Sequence, residues 1–185
     1  MSNRSQVLLN SLKDYYRNDD HLKCLVEIIN TSNNDQFKVS LRLIDWLVTN
    51  YSKSKNVIYY VDGQPFNMHQ SYKDMLKAYS KKMFDPFRRH VRTYLNCPSY
   101  GNGILETTVA QMTFFKWAID NRVIEYAHNN KIDIKSHMDL HTQHRLHNNK
   151  KDTNSVIQQR IKRKELSKAS KGANRYNVDI KVTFT

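Results

Sequence analysis

Positive charge in this sequence is concentrated between residues 150 and 175, where apolar side chains are scarce. The stretch holds nine Lys or Arg and two acids, and its sizeable aliphatic residues are Val156, Ile157, Ile161 and Leu166. Because so few apolar side chains bury little surface, the core has to come from the residues before them. The formal net charge of +13 favours nucleic acid or an acidic protein surface as the partner.

Glycine and proline are rare, with four and three copies. They fall between the periodic segments, which predicts a mainly α-helical protein with few tight turns. The apolar spacing predicts core helices over residues 3–16, 19–29, 38–51, 71–83 and 108–126. A strand at 57–61 followed by Asp62-Gly63 predicts one small β-hairpin near residues 56–68.

Two of these helices have predicted caps. Asp19 or Asp20 is expected to cap the second helix. Thr108, three residues before Gln111, is expected to open the longest core helix with a capping box. Residues 87–97 stay ambiguous, because apolar and polar residues alternate there, as in a strand, between arginines.

The predicted organisation is a compact helical core domain at residues 1–130 with two additions. The first is a His-rich and basic helical extension at 131–175, with helices at 132–147 and 153–168. The second is a terminal strand at 176–185, where apolar residues alternate at period two. A lone strand has to pair, either with the strand at 57–61 or with another molecule.

Two cysteines, Cys24 and Cys97, lie far apart in apolar contexts, which is typical of inert core thiols in a reducing compartment. No apolar run approaches the roughly 20 residues that span a bilayer. Residues 1–10 lack the pattern of a signal peptide. A membrane partner is therefore not expected.

Three segments carry a family resemblance: SLRLIDWLVTNYSK at 40–53, SYKDMLKAYSKKMFDPFRR at 71–89 and ETTVAQMTFFKWAIDNRVIEY at 106–126. They resemble an uncharacterised small-protein family of nucleocytoplasmic large DNA viruses, the giant viruses. The resemblance covers about residues 38–126 and not the basic tail. It implies a viral origin and a location in the virion or the host cytoplasm, and it supplies no catalytic residues.

Two groups of cations form the predicted nucleic-acid-binding surface. The residues are Lys73, Lys77, Lys81, Lys82, Arg88, Arg89 and Arg92 in the core domain and Arg160, Lys162, Arg163, Lys164, Lys168 and Lys171 in the tail. Lys73, Lys77 and Lys81 share one helix face, as a helix that follows a phosphate backbone would need. The interleaved Tyr72, Tyr79 and Phe87 either stack on bases or turn to the core.

A histidine stripe forms the second candidate site. His137, His141, His144 and His147 fall on one side of a helix. Such spacing can bind zinc, although a specific site needs further ligands and a second shell. A pH-responsive extension of the basic surface and an ordinary polar face are the alternatives. No metal or cofactor is predicted.

Acidic residues in aromatic-rich helices form the third candidate, because paired carboxylates can perform acid–base or metal chemistry. These acids are Asp45, Glu106, Asp120 and Glu125. The simpler interpretation of Asp45 is an ion pair with Arg42, three residues away. Since no phosphate loop, nucleophile elbow or metal-ligand motif is present, the chain is predicted not to be an enzyme.

The leading functional prediction is a non-enzymatic viral protein that binds nucleic acid with little sequence preference and is packaged with the genome. The alternative is a structural or minor virion protein. Its basic tail and terminal strand would then dock onto another protein, or onto a second copy, by strand addition to an open sheet edge. A transcription-accessory role is a third possibility.

Overall fold

The structure, a computed structural model, describes residues 3–30, 39–98 and 103–151. Contacts group Met1–Arg145 into one compact unit and Leu146–Thr185 into another. Eight α-helices lie in the described residues: α1 Asn3–Tyr15, α2 Asp19–Ile29, α3 Leu41–Trp46, α4 Ser52–Lys55, α5 Met68–Met83, α6 Val109–Asp120, α7 Val123–Asn129 and α8 Lys131–Lys151. Within the same residues, four strands form two antiparallel hairpins: β1 Ile58–Val61 with β2 Gln64–Asn67, and β3 Arg92–Asn96 with β4 Ile104–Thr108. The prediction of a mainly α-helical fold with a small hairpin is confirmed.

Helix α6 lies at the centre of the compact unit. It contacts α1, α2, α5 and α7, and β4 leads directly into it. Its side chains are buried on all sides, as expected for a helix surrounded by other elements. Phe114 and Trp117 of this helix meet Tyr72 of α5 and Phe84, which follows α5, in a cluster of rings. This ring cluster joins α5 to α6 within the core.

The start of α2 differs from the prediction. Asn18 is the N-cap, and its side-chain oxygen accepts hydrogen bonds from the backbone N–H groups of Asp20 and His21. Asp19 and Asp20 instead occupy the first turn, where their charges suit the positive end of the helix dipole. The prediction that one of these two aspartates is the cap is wrong by one residue.

The helix predicted over 38–51 is interrupted in the structure. Ser40 caps α3, and a π-helical turn at Leu47–Tyr51 follows before α4. Asn56 ends α4 in the left-handed conformation, with φ of 47°. The extra residue in a π turn widens the helix and rotates the side chains that follow it. The wider turn keeps Leu47, Val48 and Tyr51 buried.

The first hairpin matches its prediction. Asp62 and Gly63 both have positive φ, 48° and 79°, as a two-residue type I′ turn requires. The hairpin is attached to the core by Tyr59, whose hydroxyl donates to the carbonyl of Asn121 over 2.7 Å. Asp62 also forms an ion pair with Arg122 at 3.0 Å.

The second hairpin resolves the ambiguity at residues 87–97. Arg92–Asn96 is a strand, and its partner Ile104–Thr108 was not predicted. Thr93 and Leu95 are buried, whereas the alternate residues of β3 face outward. Val91 lies before the strand and is 74% exposed. The expectation of a single hairpin is therefore corrected to two.

The longest predicted core helix is divided in the structure. Thr108 caps α6, with its hydroxyl accepting from the backbone N–H of Gln111, so this cap is confirmed. The helix ends at Asp120 rather than near residue 126, because Arg122 adopts the left-handed conformation with φ of 54°. Helix α7 then begins at Val123.

Helix α8 starts at Lys131 and continues to Lys151. Its Ile134 is fully buried in the core of the compact unit, so the first turns of α8 pack on that unit beyond the predicted boundary at 130. The helix predicted at 153–168, the strand predicted at 176–185 and the tail cations Arg160, Lys162, Arg163, Lys164, Lys168 and Lys171 lie outside the described residues. Over the described ranges, no helix has the length and apolar character needed to cross a bilayer.

Candidate functional site

Helix α5 presents a row of lysines. Asn67 caps the helix by accepting a hydrogen bond from the backbone N–H of Gln70. Lys73, Lys77 and Lys81 are exposed and four residues apart, so they follow one face. Lys82 joins Lys81 in the last turn, where positive charge is favourable next to the helix C-terminus. The predicted lysines therefore lie together on the surface.

The chain after α5 is fixed to α6 by buried contacts. Phe84 and Pro86 are buried, and the backbone N–H of Asp85 donates to the carbonyl of Ala110 over 3.3 Å. The side-chain amide of Gln111 donates to the carbonyl of Pro86 over 2.8 Å. These contacts hold the start of the arginine-bearing segment at 85–92 against the N-terminus of α6.

Gln111 positions the segment at 85–92, a role that sequence reasoning missed. Its side chain is fully buried, and its oxygen accepts a hydrogen bond from the Thr107 hydroxyl at 3.0 Å. A complete capping box would have the glutamine reach back to the N-cap backbone N–H. The side chain instead links β4 to Pro86, so only the Thr108 half of the predicted box forms. A capping-box motif alone gave no signal for this link.

Three predicted arginines lie beside the second hairpin and the turn before it. Arg88 donates to the backbone carbonyl of Glu106 at 3.3 Å, and Arg92 forms an ion pair with the Glu106 carboxylate at 2.8 Å. Arg92 also donates to the backbone carbonyl of Arg88. Arg89 pairs with Asp85 at 3.1 Å. Glu106 therefore orients two of the three cations.

The carboxyl group of Asp45 is influenced by charges on both α5 and the arginine-bearing segment. Burial raises the pKa of its carboxyl, while the charges of Arg89 and Lys81 oppose the rise and that of Asp85 adds to it. These contributions require that the end of α5 and the segment at 85–92 both lie near α3. The predicted ion pair of Asp45 with Arg42 is not among the ion pairs of the described residues, so that prediction is wrong.

The replacement Asp45→Asn is expected to stabilise the fold at neutral pH. The folded-state pKa of Asp45 is raised, so the folded chain holds this proton more tightly than the unfolded chain does. The ionised carboxylate therefore costs stability above the folded pKa, and that cost disappears below about pH 4, where Asp45 is protonated in both states. Thermal unfolding at several pH values should show a higher Tm for Asp45→Asn than for the parent chain at pH 7. The difference in Tm should become smaller as the pH is lowered.

Asp85→Asn is the matched control for this variant. Asp85 accepts from the backbone N–H of Phe87 and pairs with Arg89. Its neutralisation removes a favourable pair and is expected to lower Tm at pH 7. Equal shifts of the same sign in the two variants would contradict the assignment of a burial cost to Asp45.

The predicted surface keeps a surplus of positive charge. Seven described cations, Lys73 to Arg92, face the three carboxylates of Asp74, Asp85 and Glu106. Each of these ion pairs has at least one partner that is well exposed to solvent, so each contributes little and can open for another anion. Within the described part of the chain, Lys73, Lys81 and Lys82 form no ion pair.

The interleaved aromatic residues turn mainly to the core. Tyr72 is buried against Phe84 and Trp117, and Tyr79 is partly buried against the core cluster. Phe87 is half-buried, and the guanidinium of Arg89 lies 4.6 Å from the centre of its ring. Tyr72 and Tyr79 therefore follow the alternative in which these aromatic residues turn to the core.

Two histidines of the stripe hold α8 against the π-helical turn and the residue before it. The indole N–H of Trp46 donates to Nδ1 of His137 over 3.1 Å, which assigns the Nε2–H tautomer to this ring. The edge of Tyr51 meets His137 at 5.4 Å, and Trp46 meets His141 at 5.0 Å. His144 is exposed, and the side chain of His147 lies outside the described residues. No group of three metal-ligating side chains occurs in the part of the chain that the structure describes.

The acids of the third candidate have separate partners. Asp120 accepts from the hydroxyl of Tyr15 and from Lys116, both at 2.6 Å. Glu106 pairs with Arg92, and Asp45 lies near Arg89. Glu125 is an exposed residue of the first turn of α7. These contacts do not bring the four acids into one constellation.

Both cysteines are free thiols in the described structure. Burial raises the pKa of the Cys24 thiol to about 11, with a smaller contribution from Glu27. Burial also raises the pKa of Cys97. Little thiolate therefore forms near neutral pH at either position.

Comparison with known proteins places the chain in a family. A family model described as a family of unknown function, DUF7197, matches residues 1–183. The chain belongs to this family. A relative from Acanthamoeba polyphaga mimivirus, the uncharacterized protein L507, is 32% identical over 128 residues. The match covers 65% of this chain and 48% of that protein, so the chain spans about half the length of this relative.

The family resemblance predicted from the sequence is confirmed, and a giant virus is the source of a relative. No solved structure matches the chain.

Proposed function

We propose that this viral protein binds nucleic acid through its basic surfaces, with little sequence preference, and that it accompanies the genome in the virion or in the host cytoplasm. The seven cations from Lys73 to Arg92 form the surface on the core domain, and the tail cations from Arg160 to Lys171 are a second group of anion-binding residues in this proposal. The protein acts in this proposal as a binding protein and not as an enzyme.

The exposure of all seven cations, on α5 and on the segment that directly follows it, carries the proposal. Lys81 and Lys82 lie in the last turn of α5, and the next segment is fixed to α6 through Gln111. Buried contacts of Phe84 and Pro86 set this arrangement, so the cations are displayed by a packed scaffold. Preorganised cations lose less conformational freedom when they bind an anion.

The type of cation contact explains the expected lack of sequence preference. Lysines in a row along one helix face can each neutralise a phosphate, and phosphate contacts position a protein without reading base sequence. Arg89 and Arg92 are oriented by Asp85 and Glu106 through ion pairs that are exposed enough for a phosphate to replace the carboxylate. The affinity is therefore expected to come mainly from released counterions.

Binding measured across a salt series tests the proposal. Labelled DNA, RNA and polyglutamate of matched length are titrated with the full chain between about 50 and 200 mM salt, the range over which counterion release is most evident. The logarithm of the affinity for duplex DNA should fall linearly with the logarithm of salt, with a slope near −0.9 for each phosphate contacted. A flat salt response, or equal affinity for polyglutamate, would overturn the proposal.

A second candidate function, docking onto another protein, is supported by the hairpins. Each hairpin has only two strands, so within the described residues each strand has one edge without a partner strand. On the first hairpin, Ile58 and Tyr60 are 53% and 73% exposed, and Pro65 lies opposite Tyr60. A strand from another protein, or the segment at 176–185 of a second copy, could add to such an edge. Assembly without salt-dependent nucleic-acid binding would favour this candidate.

A further inference from the structure

The outward face of the second hairpin carries an aromatic ring with no aromatic partner in the described part of the chain. Strand β3 turns Thr93 and Leu95 inward, which leaves Arg92, Tyr94 and Asn96 on the outer face. Tyr94 is 60% exposed, and it lies opposite Glu106 in the strand register. The ring is therefore available to a flat ligand, unlike the aromatic residues of α5.

Tyr94 lines a groove between the second hairpin and the first two helices. The groove has a volume of about 500 Å³ and is bordered on the hairpin side by Tyr94 and Asn96. Lys13 and Arg17 from the end of α1 and the loop that follows it border the other side, together with Asp19. Its size is within the range of roughly 300–1,000 Å³ that is typical of small-ligand sites.

The lining residues supply three kinds of contact. Tyr94 offers a ring face, Asn96 offers an amide that can both donate and accept, and Lys13 and Arg17 offer positive charge. Arg17 pairs with Asp14 at 3.0 Å, but both side chains are largely exposed, so another anion can replace this partner. Lys13 forms no ion pair within the described residues.

An unpaired nucleotide combines the groups that these contacts suit. Its base can stack on a tyrosine ring, its base edge can bond to an amide, and its phosphates can meet the cations. Bases inside a duplex are already stacked on their neighbours and cannot offer a free face. Arg92 of the basic surface lies on the same face of β3 as Tyr94, two residues along the strand.

We propose that this groove binds single-stranded nucleic acid, with one unpaired base stacked on Tyr94 and the flanking phosphates on Lys13 and Arg17. The inference rests on the proposed nucleic-acid binding and adds a preference for single strands over duplexes. The basic surface of α5 and the segment at 85–92 contacts the phosphates of both forms, whereas the groove contacts only the single strand.

The test compares Tyr94→Ala with Tyr94→Phe and Tyr60→Ala in the full chain. Tyr60 is the matched control, because it is an exposed tyrosine on the outer face of the other hairpin. The probes are a labelled 20-nucleotide oligothymidylate and a 20-base-pair duplex at fixed salt. Tyr94→Ala should weaken single-strand binding by about 5- to 150-fold, which corresponds to the loss of one stacked base. Tyr94→Phe keeps the ring and should bind within about twofold of the parent chain.

Duplex binding separates this inference from the proposed function. The duplex affinity of Tyr94→Ala should equal that of the parent chain, and Tyr60→Ala should change neither affinity. Equal losses for single strand and duplex, or equal effects of Tyr94→Ala and Tyr60→Ala, would overturn the stacking site while leaving the basic surface in place. No binding of either polymer by the parent chain would overturn both proposals.

Lys13→Gln provides a second variant that leaves the hairpin untouched. It should lower the affinity for oligothymidylate more than for the duplex, because Lys13 contacts phosphates only through the groove. Lys23→Gln, a change of the same charge at an exposed position of α2, is its control. An equal effect of the two lysine variants on single-strand binding would contradict the groove.

Discussion

Phe84→Ala is expected to lower the free energy of unfolding by about 3–5 kcal/mol, the cost typical of truncating a buried phenylalanine. Phe84 is 2% exposed, and its ring meets Phe114 at 5.1 Å and Trp117 at 5.6 Å. Truncation removes this burial and leaves a cavity between α5 and α6, because neighbouring rings cannot all move to fill it. The loss is a large share of the roughly 5–15 kcal/mol that stabilises a typical domain.

Urea unfolding followed by circular dichroism measures this loss. Phe84→Leu preserves most of the volume and is expected to cost less than about 1.5 kcal/mol. Tyr60→Ala removes an exposed ring and should change stability by about 0.5 kcal/mol or less. A loss below about 1 kcal/mol for Phe84→Ala would mean that Phe84 does not join the two helices as described.

Replacing Lys73, Lys81 and Lys82 together with glutamine is expected to weaken duplex DNA binding by about a hundredfold at 0.1 M salt. These are the lysines of α5 without ion pairs in the described structure, so they are free to contact phosphates. Each lost contact removes about 0.9 from the slope of the salt dependence, so the triple variant should have a slope shallower by about 2 to 3. Fluorescence anisotropy across a salt series measures both quantities.

The matched control replaces Lys23, Lys53 and Lys55 with glutamine. These exposed lysines of α2 and α4 give the same change in net charge at positions that are not part of the row on α5. A protein that binds through its overall charge would lose the same affinity in both variants. A protein that binds through the basic surface would lose clearly more with Lys73, Lys81 and Lys82 replaced. Circular dichroism of both variants confirms that folding is retained.

The sequence predicted the elements that have a strong period or an explicit turn signal. The helices predicted from apolar spacing at α1, α2 and α5 are present in the structure, and their ends differ from the predicted ends by at most a few residues. Asp62-Gly63 specified the first hairpin, because both residues tolerate the positive φ of its turn. In these cases local preference and tertiary packing agree, so the pattern alone is sufficient.

The second hairpin escaped prediction because only one of its strands has a strand pattern. Residues 87–97 alternate as in a strand, but the partner Ile104–Thr108 does not alternate strictly, and a longer connection than a two-residue turn joins the two strands. The break at Arg122 was missed for a related reason. The apolar spacing continues on both sides of Arg122, and arginine is an ordinary helix former. The pattern therefore predicts one helix, although Arg122 has the left-handed conformation that ends it.

Composition identified the cations of the basic surface, but only the structure indicates how the segment after α5 is held against α6. That attachment depends on Gln111 and Pro86, which are 25 residues apart and share a buried hydrogen bond. The groove lined by Tyr94 depends on helices near the start of the chain and on β3. Contacts between residues so far apart in the chain produce no periodic pattern that a single sequence would reveal.

The hydroxyl of Tyr15 meets Asp120, and that of Tyr16 meets the carbonyl of Met112, across 105 and 96 residues of chain. Translation at about 5–20 residues per second puts roughly 5–20 seconds between the emergence of the two partners from the ribosome. The apolar faces of α1 and α2 have no α6 to pack against during that interval. Each newly made molecule therefore passes through a stage in which these two faces lack their partner helix, and exposed apolar surface of this kind favours aggregation.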